Sequence, residues 1–206
     1  MDAKFWDQRY SQKDYVYGTE PNEFYKSWID RLTPGNALFA AEGEGRNAVY
    51  AAQLGWHVLA IDQSESGKKK AMDLAAARQV EIEYSVGDLG QIDLSERKFD
   101  LIVLVYAHLS DTNRRAVHQK LMRLLNPGGH VILEAFSQQH PPYQVLNPTV
   151  GGPRELSYLY EETEIVFDFS ALKPIYRSTE VIELSEGPFH LGKGSVVRFV
   201  GKKEFI

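Results

Sequence analysis

The sequence predicts an α/β fold of the Rossmann-like, doubly wound kind, with a seven-stranded sheet that is mostly parallel and carries an antiparallel C-terminal strand. Three observations predict it. Short, continuous apolar runs alternate with helical stretches five times between residues 37 and 136. Continuous apolarity marks strands covered on both faces, as in parallel sheets. Glycines and acidic residues collect just after these runs, and right-handed crossovers gather such strand ends on one ligand-binding edge. Near the C-terminus two further runs are joined by a short connector, which suits an antiparallel pair.

The elements follow in order. Residues 21–32 read as one amphipathic helix, with Phe24, Trp28, Ile29 and Leu32 on one side. Residues 37–41 are the first strand, ending in Glu42-Gly43-Glu44-Gly45. A helix runs from Arg46 to about Leu54, with Gly55 as a natural stop. Residues 58–61 are the second strand, ending at Asp62. Residues 64–77 read helical, with Ser64 or Ser66 as the N-cap. Residues 80–86 are the third strand and residues 99–106 the fourth. Val117, Leu121, Leu124 and Leu125 fall at helical spacing until Asn126-Pro127-Gly128-Gly129 breaks the helix. Residues 131–136 are the fifth strand. Residues 137–154, rich in Pro, Gly and Gln, read as a long loop. A helix is expected over 161–169, then strands over 173–184 and 195–202, joined by 185–194. The expected organisation is one domain over 1–206. It comprises an N-terminal lid and helix (1–34), a Rossmann-like core (35–136), and a substrate-side loop with the C-terminal strands (137–206).

Composition narrows the function classes. With no cysteine among 206 residues, a disulfide framework, a zinc–thiolate site and a cysteine nucleophile are all excluded. A net charge of −5 argues against a surface built for nucleic acid backbone. Longer apolar runs that would span a membrane are absent. Met1-Asp2-Ala3-Lys4-Phe5-Trp6 does not read as a secretory leader, so a cytoplasmic protein is expected. No Asp, Glu or His cluster has metal-ligand spacing.

The motif that carries chemistry is Gly43-x-Gly45-x-x-Ala48, between a strand and a helix. Glycine there lets a ligand approach the backbone closely. Asp62 at the end of the next strand suits two ribose hydroxyls. The charge of the turn selects the ligand. Glu42 and Glu44 flank Gly43, and like charges 4 Å apart cost about 4 kcal/mol at an effective dielectric of about 20. That opposes a pyrophosphate, hence NAD or FAD. S-adenosylmethionine (SAM) has no phosphate and carries a sulfonium and an ammonium, which carboxylates favour. Gly87-Asp88-Leu89 ends the third strand, where Asp88 can accept from the adenine amine. Tyr106-Ala107-His108-Leu109 follows the fourth, beside the expected methyl group.

These residues resemble the class I SAM-dependent methyltransferases across nearly the whole chain. The carrying segments are Glu42-Gly43-Glu44-Gly45-Arg46-Asn47, Ile61-Asp62-Gln63-Ser64, Gly87-Asp88-Leu89, Phe99-Asp100-Leu101-Ile102 and Leu125-Asn126-Pro127-Gly128-Gly129. Ala41 stands where the family usually has an acidic residue two before the first glycine, so Glu42 or Glu44 is expected to take over that role. Gly45-Arg46-Asn47-Ala48, with Phe5-Trp6-Asp7-x-Arg9-Tyr10 and Tyr17-Gly18-Thr19-Glu20-Pro21, resembles the tellurite-resistance (TehB-like) branch. The thiopurine methyltransferases are a related outgroup and an alternative S-methylating reading. The tellurite branch has a late His-Arg pair, whereas here His190 is followed by Leu191.

The resemblance implies SAM as cofactor and S-adenosylhomocysteine (SAH) as product, held by Tyr17, Glu42, Gly43, Glu44, Gly45, Asn47, Asp62, Gln63, Ser64, Gly87, Asp88, Leu89 and Tyr106. The expected acceptor is a small molecule, such as a thiol or a selenium or tellurium oxyanion. Neither nucleic acid nor membrane is expected as a partner, and the chain is expected to be a monomer or a weak homodimer. His108 and His190 are the candidates for a catalytic base, needed only for an oxygen acceptor. His140 and Tyr143 carry no assigned role, and Arg154 and Lys193 read as surface charges. Arg114, Arg115, Lys120 and Arg123 read as the solvated face of a helix. A non-catalytic SAM-binding or partner-binding module is the competing reading, with its acceptor pocket filled by Phe136 or Tyr106.

Overall fold

The structure is a computed structural model and describes residues 2–205; residues 1 and 206, at the outer ends of the expected spans, lie outside them. Seven strands form one sheet in the order β3-β2-β1-β4-β5-β7-β6. They are β1 (Asn36–Ala40), β2 (His57–Asp62), β3 (Glu83–Val86), β4 (Phe99–Val105), β5 (Leu125–Phe136), β6 (Lys173–Ser185) and β7 (Leu191–Lys202). The first five pair in parallel. β7 pairs antiparallel with both β5 and β6, as the C-terminal pattern predicts.

Alternation along the central strands fills both faces. Leu38, Ile61, Ile102 and Leu104 pack on one side with Leu121 and Phe169. Ala37, Phe39, Leu101 and Val103 pack on the other with Tyr25, Ile29 and Trp56. Each fully buried large side chain contributes about 1.5–3 kcal/mol of transfer free energy. The helices α3 (Arg46–Gln53), α4 (Glu65–Ala77) and α5 (Asp111–Leu124) cover these faces.

Five segments depart from the sequence expectation. Residues 3–10 form a helix, α1 (Ala3–Tyr10), capped by Asp2 accepting from the Phe5 amide at 2.9 Å. The helix expected over 21–32 is shorter, α2 (Glu23–Ile29). Asn22 caps it by accepting from the Tyr25 amide, and Arg31 and Leu32 only close its last turn. β3 begins at Glu83, because the Val80 amide still donates to Ala75 O and belongs to the end of α4. The long loop after β5 contains α6 (Pro141–Leu146) and a 3-10 turn at Pro148–Val150. β7 starts at Leu191, which shortens the β6–β7 connector. α7 (Glu162–Asp168) lies where a helix is expected.

The basic face of α5 is only partly solvated. Arg114 is buried and donates to Leu159 O and Glu164. The Lys120 ammonium donates to the carbonyls of Leu89, Gly90 and Ile92. It thereby clasps the loop that follows β3. No helix among the described residues is long and apolar enough to cross a membrane.

Candidate functional site

The C-terminal ends of β1, β2, β3 and β4 meet at one edge, and α1 forms a roof above them. α1 is held there by Asp7, which accepts from Ser64 Oγ at 2.6 Å and the Ser66 amide at 2.9 Å. These groups lie at the N-terminus of α4, where backbone donors and the helix dipole favour a carboxylate. The bonds from Ser64 and Ser66 hold the Asp7 carboxyl below the usual range.

A cavity of about 130 Å³ lies under the roof. Asp62, Gln63, Gly87, Asp88, Leu89, Tyr106 and His108 line it, as do Trp6, Tyr10 and Asn113. Its walls carry two aspartates and no lysine or arginine. Next to it lies a smaller space of about 40 Å³, walled by Tyr17, Glu42, Asn47, Tyr106, His108 and His190 among others. A third cavity of about 240 Å³ opens on the outer side, between α1, the α6 region and the β6–β7 connector. Trp6 and His108 line all three.

The turn after β1 is built by unusual backbone. Ala41 has φ +56°, Gly43 +66° and Gly45 +89°, and Tyr106 after β4 has φ +53°. Non-glycine residues in this region concentrate at ligand sites, where surrounding contacts hold the strain. Gly43 is clamped from two sides: its amide donates to Asp62 Oδ2 at 3.0 Å, and its carbonyl accepts from Tyr84 Oη at 2.6 Å. A Cβ there would lie 2.6 Å from Tyr10 Oη. Gly45 instead faces α4, where a Cβ would lie 2.5 Å from Ala71 Cβ.

The acidic residues divide into two kinds. Asp62 is buried at the cavity wall, with Oδ1 accepting from the Ser64 amide at 3.0 Å. Burial raises its carboxyl to about 6 despite these bonds. Glu42 Oε1 accepts from the Asn47 and Ala48 amides at 2.9 and 2.8 Å, and burial pushes its carboxyl up to about 8. Glu44 lies elsewhere. Its oxygens are taken by Lys70 Nζ at 2.7 Å and by the Val16 amide at 2.8 Å. It therefore joins the N-terminal segment to α4 and does not line the cavity. Ser64 likewise points to Asp7 and Gly67 and not into the cavity. The sequence argument that two carboxylates oppose a phosphate thus keeps Glu42 and loses Glu44; Asp62 and Asp88 supply the other acidic wall.

Both candidate histidines reach the site. His108 stacks parallel to Trp6 at 5.7 Å. Burial, with His190 nearby, pushes it down to about 3, so its ring is neutral over the ordinary pH range. His190 is buried between Tyr17 and Tyr106, each 4.5 Å away between ring centres. Its Nδ1 lies 3.3 Å from Glu186, yet burial lowers it. Burial acts upward on Glu186, but Arg46 and His190 outweigh it and hold that carboxyl at about 2. His140 is buried and structural: Nδ1 accepts from the Ser195 amide, and Nε2 donates to Gly151 O at 3.0 Å. Among the described residues no group of three His, Cys, Asp or Glu could hold a metal ion.

Sequence reasoning missed Trp6, Tyr10 and Arg9 as site residues. Their segment was read for resemblance, but only its docking through Asp7 turns one face of α1 toward the cavities.

Residues 37–129 match the family model described as a methyltransferase domain. An uncharacterized methyltransferase of Schizosaccharomyces pombe is 26% identical over 105 residues, covering 50% of this chain and 72% of the relative. Solved structures show the same fold at low identity. One, described with the conversion of a disulfide bond into a thioacetal group during echinomycin biosynthesis, has a TM-score of 0.78 at 19% identity, covering 98% of this chain and 90% of that one. TehB from Haemophilus influenzae has a TM-score of 0.72 at 15% identity, covering 98% of this chain and 67% of its own. The N-methyltransferase NodS from Bradyrhizobium japonicum, in complex with SAH, has a TM-score of 0.69 at 16% identity, with coverages of 98% and 97%.

Proposed function

We propose that this chain, whose residues 37–129 match a methyltransferase-domain model, is a class I SAM-dependent methyltransferase that moves the methyl group of SAM to a small molecule seated in the 240 Å³ cavity. The acceptor carries a thiol or is a selenium or tellurium oxyanion. The observation that carries this reading is the meeting of three cavities at Trp6 and His108. The two inner spaces suit the adenosyl and methionyl ends of the cofactor, and the outer one suits the acceptor.

The cavity chemistry fits SAM. The larger inner space has Asp62 and Asp88 and no lysine or arginine in its walls, and Arg46 beside the smaller one is paired with Glu186, so neither offers an unpaired cation to a pyrophosphate. When bound, SAM supplies an already activated methyl group on a sulfonium. Asp62 accepts from the ribose hydroxyls, and Asp88 accepts from the adenine amine. Leu89 and Gln63 border the adenosyl group. Gly43 and Gly87 bring backbone close to it. Glu42, fixed by two amides of α3, faces the methionyl end with Asn47 and Tyr17. A cation beside Glu42 favours its ionised form, so binding there draws a proton from it. Gly45, Glu44 and Ser64 shape the site through packing and capping. Tyr106 sits at the junction of the cofactor and acceptor spaces.

Little base chemistry is demanded of the chain. A soft acceptor that arrives ionised needs only alignment and exclusion of water. His108, neutral and stacked on Trp6, positions the acceptor by its ring face. The competing reading of a binding module expects Tyr106 and Phe136 to fill the acceptor space. They stack on one another at 4.7 Å, and the outer cavity stays open.

Calorimetry with SAH tests the assignment. Asp62→Ala removes acceptors for two hydroxyls and is expected to weaken SAH binding by about 1–3 kcal/mol, the scale of hydrogen bonds to a charged group. Unchanged affinity contradicts this cofactor position.

A further inference from the structure

The outer cavity has a chemical signature of its own. Phe5, Trp6, Tyr17 and Phe189 give it flat apolar walls, and Arg9 and Arg154 are its charged lining residues. No aspartate or glutamate lines it. The Arg9 guanidinium sits over the Phe189 ring at 4.5 Å and the Phe5 ring at 5.2 Å. It donates to Tyr17 Oη at 3.4 Å. Among the described residues neither Arg9 nor Arg154 lies within ion-pair distance of a carboxylate. Six other arginines do find one, namely Arg46, Arg78, Arg97, Arg114, Arg177 and Arg198, while Arg31, Arg115 and Arg123 do not and line none of the three cavities. Two guanidinium groups without a carboxylate partner in the lining of an aromatic slot are suited to a planar anion, because the fork of arginine matches carboxylate geometry. Arg9 also lies close enough to act downward on both His108 and His190, consistent with a positive field across the slot.

We propose that Arg9 and Arg154 form an acceptor-anchoring site for an aromatic carboxylate. The carboxylate points outward to the two arginines, and the nucleophilic atom points inward to Trp6 and His108. This inference rests on the methyl-transfer reading above and adds the acceptor's class. The slot of about 240 Å³ has room for a substituted ring and is larger than a bare oxyanion needs. For an aryl thiolate, the sulfur lone pair forms the new S–CH3 bond as the sulfonium C–S bond breaks. The bonding pair goes to the departing sulfur, giving a thioether and SAH, and no proton has to be removed by the protein.

The test compares 4-mercaptobenzoate with its neutral isostere 4-mercaptobenzamide, and with sodium tellurite, as acceptors for the intact protein. SAH binding by calorimetry is measured first, so that failure of the cofactor reading registers separately. The expected result is a kcat/KM at least about tenfold higher for the benzoate than for the amide, the scale of a charge-assisted hydrogen bond. Arg154→Gln, on an exposed loop residue, and Arg9→Gln each shrink that preference to about twofold, chiefly through KM, while Arg9→Lys retains part of it. The product 4-(methylthio)benzoate is expected to bind the SAH-loaded protein, and more weakly once either arginine is replaced. Equal use of benzoate and amide, an equal effect of the arginine changes on both, or turnover of tellurite alone with SAH binding intact overturns the proposal. So does the absence of turnover with every aryl thiol when SAH still binds.

Discussion

Replacing Arg198 with methionine is expected to cost about 3–5 kcal/mol of unfolding free energy, the scale for breaking one side of a buried ion pair. Glu134 on β5 is fully buried. One of its oxygens takes the Arg198 Nε–H bond, and the other accepts from Asn22 Nδ2 at 2.6 Å. The same Asn22 amide donates to Glu186 at 2.8 Å, and Arg46 pairs with Glu186 at 3.0 Å. The N-terminal segment, the sheet and the β6–β7 connector are thus joined by one charged network. Removal of Arg198 strands the Glu134 charge. Burial already raises the Glu134 carboxyl against the pull of Arg198, so without the arginine it rises further. Protonation then relieves part of the loss at low pH, and the penalty grows as pH rises. Adding Glu134→Gln to Arg198→Met keeps a partner for Asn22, removes the charge, and is expected to restore at least half of the stability. Urea unfolding of both variants at neutral pH measures this. A single-variant cost under about 1 kcal/mol, well below the expected scale, or a second change that adds to the loss, contradicts the account.

The second large effect is expected at Gly45. Its φ of +89° is a region that costs other residues about 1–2 kcal/mol. A Cβ would also meet Ala71 Cβ at 2.5 Å and Cα at 2.8 Å, and forcing atoms into a packed contact costs about 1–3 kcal/mol. Gly45→Val is therefore expected to lower stability by about 2–5 kcal/mol, the two costs together. Ala71→Gly in the same background should return part of the packing share and none of the backbone share. A variant as stable as the parent shows that the turn and α4 are not held in this contact.

How far the sequence speaks for itself differs between core and site. The five parallel strands are legible because runs such as 58–61 and 101–105 are apolar throughout, which only a sheet covered on both faces requires. Asp62 and the Gly43 turn are legible because strand ends in such a sheet face one edge. α1 is not legible. Its aromatic residues Phe5, Trp6 and Tyr10 acquire a side only when Asp7 docks on the donors at the start of α4. Glu44 is misread for a similar reason: nothing in Glu42-Gly43-Glu44 tells that Lys70 and the Val16 amide claim one carboxylate and leave the other at the site. Lys120 shares its helix with exposed Arg115 and Arg123, yet three carbonyls of the loop after β3 hold it. His190 stands out in the sequence as a candidate base, but its neighbours do not: the short β6–β7 turn folds it between Tyr17 and Tyr106. In each case the deciding partner is distant in sequence and polar, and periodicity carries no trace of it.

The central claim is that the methyl group comes to rest where the three cavities meet, at Trp6 and His108. It is tested most directly by NMR on the protein loaded with SAM carrying a 13C-labelled methyl group. The account predicts intermolecular nuclear Overhauser contacts from that methyl to the ring protons of Trp6 and His108, and none to those of Tyr84 beneath the Gly43 turn. Contacts to Tyr84, or to neither Trp6 nor His108, contradict it.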